Sequence, residues 1–377
     1  MRIAVNTRLL LANKLDGIGY FTYKLLENMC KNHPQDEFIF FFDRPFDKEF
    51  IFSENVIPVV IPCQTRHPLL WRLYFQYLIP KYLKKYKADL FFSPDGFIPK
   101  NINIPIINTI HDLNYVHQPQ YIENPSHRRY LLKEFPVFAR KSDLLITVSE
   151  FSKRDIIELY DIHHNKIEVV FNAANEAYYP LEEEEKTRYK NILTQGRDYF
   201  YFVGSIHKRK NLGNLFKAFD LFKEETKSDV MLIIVGEKRD WEGELEGIFK
   251  KMKHKKDVIL TGRLDAKEIN KVSNSALALA FVSQFEGFGI PIVEAFAAGC
   301  PVITSNTTSM PEVAGDAAIY CDPFLVASIA EAMEKIYSKP SLINELRDKG
   351  FEQNKKFSWE KSSERLWNSI EKTMNLV

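Results

Sequence analysis

The feature that most constrains this chain is a double series of short, nearly unbroken apolar runs separated by longer segments of helical period. Ile3–Val5, Phe38–Phe42, Val56–Ile61, Leu90–Phe92, Ile106–Thr109 and Leu144–Val148 lack the in-out alternation of a half-solvated strand. Between them, Tyr20–Lys31, Leu69–Lys85 and Arg128–Lys141 repeat apolar residues three and four apart, which predicts helices. Strands buried on both faces and separated by helices indicate a parallel sheet covered on each side. The rhythm pauses over residues 173–198, where Pro180 and the acidic run Glu182–Glu185 replace any strand core; the run reads as a solvated helix start. A second series follows: Tyr199–Val203, Val230–Val235, Val258–Leu260, Leu277–Phe281, Val302–Thr304 and Ala318–Tyr320, with helices at Leu212–Glu225, Ile269–Asn274, Ile292–Ala298 and Leu325–Tyr337. The expectation is two doubly wound α/β domains, 1–180 and 181–357. A last helical stretch, 358–377, has a periodicity that does not say which domain it covers.

Composition narrows the function classes. Lys and Arg total 51 against 50 Asp and Glu, a net charge of +1. That balance argues against a dedicated nucleic-acid binder, and 45% hydrophobic residues exclude global disorder. The four cysteines, Cys30, Cys63, Cys300 and Cys321, form no C-x-x-C pair and read as buried thiols of a reducing compartment. Met-Arg-Ile-Ala-Val-Asn at the start lacks the apolar core of a signal peptide, and no apolar run approaches the roughly 18 residues of a membrane span. A cytoplasmic location is therefore expected.

In open parallel sheets, ligands bind beyond the carboxyl ends of the strands, so the strand-to-helix loops hold the candidate chemistry. The densest is Glu286-Gly287-Phe288-Gly289-Ile290-Pro291-Ile292-Val293-Glu294. Its glycines permit close backbone approach, Pro291 suits a first helical turn, and Gly299 suits the helix end. Amides at that helix start suit an anion or sugar hydroxyls, and Glu294, expected in the first turn, suits a ligand diol. The alternative is a tight turn with a dipole-stabilised glutamate. Gly204-Ser205-Ile206-His207-Lys208-Arg209-Lys210-Asn211 places three cations before a helix that Asn211 is expected to cap. Cations there oppose the helix dipole, a conflict that a bound diphosphate resolves; a solvated basic turn is the alternative.

Two loops lie in the first domain. Asp16-Gly17-Ile18-Gly19 opens the first helix but has Thr22 where a dinucleotide fingerprint has its third glycine. Asp43, after the next strand, could mimic a ribose-binding acid, which keeps a nicotinamide-dependent dehydrogenase open as a rival. His111-Asp112 ends another strand, where a histidine can hydrogen-bond a substrate, shuttle a proton or simply be structural. No H-x₃-H pair, D-x-D or P-loop occurs, so no ready carboxylate pair for a metal–diphosphate complex is visible. Residues 66–87 mix Arg72, Lys81, Lys84, Lys85 and Lys87 with Trp71, Tyr74, Phe75, Tyr77 and Tyr82. Such a helix either lies on an anionic membrane or packs its aromatics on a sheet.

Taken together, Glu286-x₇-Glu294 with its Gly-Phe-Gly-Ile-Pro interior, Arg209-Lys210-Asn211 and Gly17-Ile18-Gly19 resemble the retaining GT-B glycosyltransferases of family 4. Ile110-His111-Asp112-Leu113, Thr147–Ser152 and Met310–Asp316 match in the same order, so the resemblance covers nearly the whole chain. It points most closely to bacterial mannosyltransferase-like members of O-antigen and other surface-polysaccharide synthesis.

The resemblance implies two Rossmann-like domains facing a central cleft, an N-terminal acceptor domain, a C-terminal donor domain, and a last helix crossing back to the first. It implies catalytic roles for Glu286, His111, Arg209 and Lys210. Arg209 and Lys210 would hold the donor diphosphate in place of a metal, Glu294 the ribose, and Glu286 with Gly287, Phe288, Gly289 and Ile290 the transferred sugar. Gly262, Arg263 and Leu264 would line the nucleobase pocket, and Gly17 and Gly19 would cover the phosphates. Gly204-Ser205 stands where many members have Gly-Arg, which puts the phosphate-binding charge on Arg209 and Lys210. The implied reaction is retaining transfer of a hexose, mannose first, from a GDP- or UDP-sugar to a saccharide or lipid-linked saccharide, without cofactor or metal. Nucleic acid is not an expected partner; peripheral contact with the inner face of the cell membrane through 66–87 is. The rivals are a GT-B epimerase or phosphorylase-like enzyme and a non-catalytic nucleotide-sugar-binding protein.

Overall fold

The computed structural model describes residues 1–375 except 13–14, 66, 123 and 239–240, so Arg66 of the basic stretch lies outside the described residues. The chain divides into two units: Met1–Asn172 with Ser358–Val377, and Ala173–Phe357.

Unit 1 begins with β1 (Arg2–Asn6), α1 (Gly17–Asn32), β2 (Glu37–Phe42), β3 (Val56–Val60), α2 (Pro68–Leu73), α3 (Ile79–Tyr86) and β4 (Leu90–Ser93). It continues through β5 (Ile106–Thr109), α4 (Asn114–His117), α5 (Pro125–Lys141), β6 (Leu144–Thr147), α6 (Glu150–Tyr160) and β7 (Ile167–Val169). Its seven strands run in the order β3-β2-β1-β4-β5-β6-β7, all parallel. The central runs are buried because their residues face helices on both sides: Phe38, Phe40, Phe91 and Phe92 are fully enclosed.

The predicted helix Leu69–Lys85 is not continuous. Tyr74–Leu78 forms a π turn between α2 and α3, in which the Ile79 amide reaches back to the Tyr74 carbonyl. Pro80 explains the break, since its ring nitrogen has no proton for a bond one turn back and its ring crowds that carbonyl. Trp71, Tyr74 and Phe75 turn inward, Tyr74 and Phe75 as fully buried core residues.

Unit 2 contains α7 (Glu183–Thr194), β8 (Tyr199–Val203), α8 (Leu212–Thr226), β9 (Met231–Val235), α9 (Glu244–Lys251), β10 (Val258–Gly262), α10 (Ala266–Asn274) and β11 (Ala278–Phe281). α11 (Ile290–Ala297), β12 (Val302–Ser305), α12 (Met310–Ala314), β13 (Ala318–Cys321), α13 (Val326–Ser338) and α14 (Pro340–Asn354) complete it. Six parallel strands run β10-β9-β8-β11-β12-β13. Unit 2 starts at Ala173 rather than at residue 181. The Tyr179 and Leu181 amides donate to the Asn270 and Asn274 side chains of α10, which ties this segment to unit 2.

The last helix, α15 (Trp359–Asn375), belongs to unit 1. Trp359 packs edge-on to Tyr20 of α1 at 5.7 Å, Trp367 stacks on His33 at 3.5 Å, and the Ser362 hydroxyl donates to the Phe171 carbonyl. The four cysteines are buried and unpaired. Among the described residues, no helix is long and apolar enough to cross a membrane.

Candidate active site

In each sheet the strand order reverses direction beside the first strand, and that point is where loops part to make a crevice at the carboxyl edge. In unit 2 the reversal lies between β8 and β11. The loop after β8 carries Lys208–Lys210 and the loop after β11 carries Glu286, so the sheet order brings together residues 76 positions apart. Arg209 Nη1 lies 2.8 Å from Glu286 Oε2, and Lys210 Nζ lies 2.7 Å from Glu286 Oε1. Arg209 also donates to the Phe285 carbonyl at 3.0 Å, and the Lys210 ammonium sits 4.9 Å from the Phe281 ring centroid. Lys210 and Glu286 are buried. Burial alone raises the Glu286 carboxyl, but the charges and hydrogen bonds of Arg209 and Lys210 outweigh it and hold the group at about 2.

The expected clash between these cations and the dipole of α8 is relieved inside the protein, because Glu286 supplies the opposing charge. Lys208–Lys210 form a 3₁₀ turn in which the Arg209 amide donates to His207 Nδ1. Asn211 stands at the N-cap position of α8, but its side chain makes no capping bond. It adopts a left-handed conformation with φ 63°, and its amide group donates to the Val282 and Pro323 carbonyls, fastening the basic loop to the β11 edge. Lys208 is exposed.

Gly289 precedes α11 with φ 105°, a conformation that excludes most side chains and turns the chain sharply into the helix. Pro291 stands in the first turn, as predicted. Glu294 is the fifth residue of α11, one turn deeper than expected, because the helix starts at Ile290. It is half-buried, and desolvation pushes its carboxyl up to about 8 against the pull of a hydrogen bond with Tyr178. Phe288 is buried edge-on to Phe357 at 5.4 Å, which fixes the Gly-Phe-Gly turn from behind.

The remaining predicted donor residues gather at the same edge through backbone bonds. The Gly204 amide donates to Val235 and the Gly236 amide to Gly262, chaining the loops after β8, β9 and β10. This brings Gly204, Ser205, Gly262, Arg263 and Leu264 into one row of loops, with Arg263 exposed. Gly236, which no sequence motif marks, is the tightest point: a Cβ there would lie 1.9 Å from the Gly204 carbonyl oxygen.

Thr308 and Ser309 were also invisible to motif reading. The Glu286 amide donates to Thr308 Oγ1 at 3.3 Å, and Ser309 Oγ lies 2.9 Å from both the Glu286 and Phe288 carbonyl oxygens. Thr308 holds φ 56°, a costly conformation for a β-branched residue.

In unit 1, Asp16 caps α1 and accepts from the Gly19 amide at 2.9 Å, so Gly17 and Gly19 form the first helical turn. His111 is not paired with Asp112, whose carboxylate accepts from the Asn114 amide. His111 Nε2 lies 2.8 Å from the Pro94 carbonyl. A carbonyl only accepts, so Nε2 carries the proton and Nδ1 is left as the acceptor. Burial lowers the His111 pKa, which keeps the ring neutral. Phe21 of α1 meets it edge-on at 4.9 Å, and Ser152, whose amide is held by the Ser149 cap of α6, donates to its backbone carbonyl.

Asp43 is not open to a ribose: its carboxylate already accepts from Arg44 and from the amide and hydroxyl of Thr65. This removes the ground on which the dehydrogenase reading stood. A buried Arg8–Asp95 ion pair of 2.5 Å, with Asn6 also donating to Asp95, occupies the β1–β4 reversal of the first sheet. Neither residue belongs to a recognisable motif.

Two doubly wound units of parallel strands, one with a buried lysine and a half-buried arginine clamped on a glutamate at its strand-order reversal, define the GT-B class of sugar-transferring enzymes. The chain belongs to the group 1, family 4 glycosyltransferases: residues 183–356 match the family described as Glycosyl transferases group 1, and residues 15–178 match Glycosyltransferase Family 4. O-antigen chain mannosyltransferase B of Escherichia coli is 28% identical over 363 residues, covering 92% of this chain and 93% of its own. Among solved structures, sucrose-phosphate synthase from Thermosynechococcus elongatus superposes with a TM-score of 0.83 at 16% identity over 100% of both chains. WaaG, a glycosyltransferase involved in lipopolysaccharide biosynthesis, does so with a TM-score of 0.75 at 14% identity, over 97% of this chain and 98% of its own.

Proposed function

We propose that this glycosyltransferase moves mannose from a nucleotide-diphosphate sugar, GDP-mannose first, to a saccharide or lipid-linked saccharide of a cell-surface polysaccharide, with retention and without a metal. The observation that carries this reading is the Arg209–Glu286–Lys210 cluster at the β8–β11 reversal. A buried lysine and a half-buried arginine held in one place are preorganised for the charge that grows on a leaving diphosphate, the work a divalent ion does elsewhere. Glu286 then turns its carboxylate to hydroxyls of the transferred sugar, while Glu294 accepts from the ribose diol. His111 presents a neutral acceptor nitrogen to the reacting sugar. In the retaining route, the acceptor hydroxyl attacks from the leaving group's face and its proton passes to a donor phosphate oxygen, so the chain itself supplies no base. The choice of mannose rests on the likeness to O-antigen chain mannosyltransferase B.

The deciding experiment incubates the protein with a panel of GDP- and UDP-sugars in excess chelator and follows acceptor-dependent nucleotide release, with the product anomer read by NMR. Transfer from GDP-mannose with an α-linked product is expected. An inverted anomer or a strict Mg²⁺ requirement would overturn the mechanism, and preference for another donor would overturn the sugar assignment.

A further inference from the structure

The α2–α3 segment buries Tyr74 and Phe75 and shows solvent something else. Leu69, Leu73, Tyr77, Lys81 and Lys85 follow one another four residues apart along its outer side, all exposed, with Leu70 and Lys84 beside them. Leu69 is 71% exposed and Tyr77 60%, more than a folded monomer normally concedes for side chains of this size when they stand together. Trp71 of α2 packs on His127 and Tyr130 of α5 at 4.9 and 5.3 Å, which anchors the segment against that helix. The charge is one-sided: residues 55–88 contain Arg66, Arg72, Lys81, Lys84, Lys85 and Lys87 and no Asp or Glu.

We propose that this face of unit 1 docks on the surface of an anionic phospholipid bilayer. The occupant follows from the pattern. Leucines and a tyrosine at one end of the row suit insertion to the depth of the acyl boundary, while lysines at the other end reach anionic headgroups with their stems lying on apolar surface. An acidic protein partner would be expected to meet fixed polar side chains among the cations, and the exposed row Leu69–Leu73–Tyr77–Lys81–Lys85 offers none but the tyrosine hydroxyl. The contact is peripheral, and it does not depend on which sugar the enzyme transfers.

The test is flotation of the full chain with vesicles of phosphatidylcholine alone and with added phosphatidylglycerol. Binding to the anionic vesicles, weakened by salt, is expected. Leu69→Ser/Leu73→Ser/Tyr77→Ser and Lys81→Glu/Lys84→Glu/Lys85→Glu each lower it about tenfold or more, while Lys251→Glu/Lys255→Glu/Lys256→Glu in unit 2, with the same change of net charge, leaves it unaltered. All these positions are exposed, and unchanged melting temperatures confirm folding. Equal binding to neutral vesicles, wild-type binding by both patch variants, or equal loss in the unit 2 variant overturns the proposal. Concentration-dependent dimerisation abolished by the leucine variant, without vesicle binding, assigns the face to a second copy instead.

Discussion

Lys210 and Glu286 neutralise each other, 2.7 Å apart and both buried, with Arg209 on the second carboxylate oxygen. The groups assigned to the donor's phosphates are thus already bound to the group assigned to its sugar. A nucleotide sugar must exchange these partners, whereas a bare nucleotide diphosphate competes with Glu286 for the same cations.

Glu286→Gln separates the two effects. It leaves buried Lys210 and half-buried Arg209 without their counter-charge, so the protein loses about 3 kcal/mol of stability. Affinity for the nucleotide diphosphate rises about tenfold, or 1.4 kcal/mol, because no internal carboxylate opposes it. Transfer falls about 100-fold or more. Calorimetric titration, melting curves and initial rates read the three quantities, and weaker diphosphate binding would contradict the exchange.

Glu294 makes stability and binding respond to pH in opposite senses. Its carboxyl has a reference value of 4.5 and rises to about 8 in the fold. Between those values the unfolded chain has shed a proton that the folded one keeps, so this group's contribution falls as pH rises from 4.5 and levels off above 8. A ribose diol donates to the ionised form, so nucleotide affinity climbs toward pH 8 and then flattens. Glu294→Gln flattens both curves, and a 2′,3′-dideoxy nucleotide shows no climb; melting and titration across pH 5–9 check this.

Thr308→Gly relieves the left-handed strain while deleting the hydroxyl that holds the Glu286 amide. Strain of about 1–3 kcal/mol is set against one long hydrogen bond and the added backbone freedom of glycine. The melting temperature is expected to stay within about 3 °C of wild type, while kcat/KM falls about tenfold because a misplaced group loses its transition-state contact.

Gly236→Ala forces the β8 and β9 loops apart, since its methyl group would overlap the Gly204 carbonyl. A loss of about 2 kcal/mol or more in denaturant unfolding is expected. Nucleotide binding should weaken with it, because the same movement pulls Gly262 and its neighbours from the site.

The central strands were legible because double burial leaves unbroken apolar runs such as Phe38–Phe42 and Met231–Val235. The edge strand β7 was not, because Ile167-Glu168-Val169 is three residues long with one polar side. α14 escaped because its apolar residues, Leu342, Ile343, Leu346 and Phe351, are too sparse to set a period. The π turn had a visible cause in Pro80, but a one-residue shift in hydrogen bonding barely changes the apolar spacing. In the site, the loops bearing Arg209, Lys210 and Glu286 could each be found by their own residues. The clamp between Arg209, Lys210 and Glu286 could not, because it depends on β8 lying beside β11, a neighbour relation absent from chain order. Arg8 and Asp95 stayed hidden for the same reason, lying on loops after strands that meet only in the folded sheet.

The return of α15 to unit 1 has a consequence for how the protein is made. Unit 1 cannot cover Phe21, Tyr20 and His33 until residues 359–375 emerge, after all of Ala173–Phe357 has been translated. At the usual pace of ribosomes that delay is on the order of ten seconds or more. Through that interval the helix bearing Gly17 and Gly19 waits with an open apolar flank, so the beginning of the nascent chain stays incompletely covered until a segment near its end arrives.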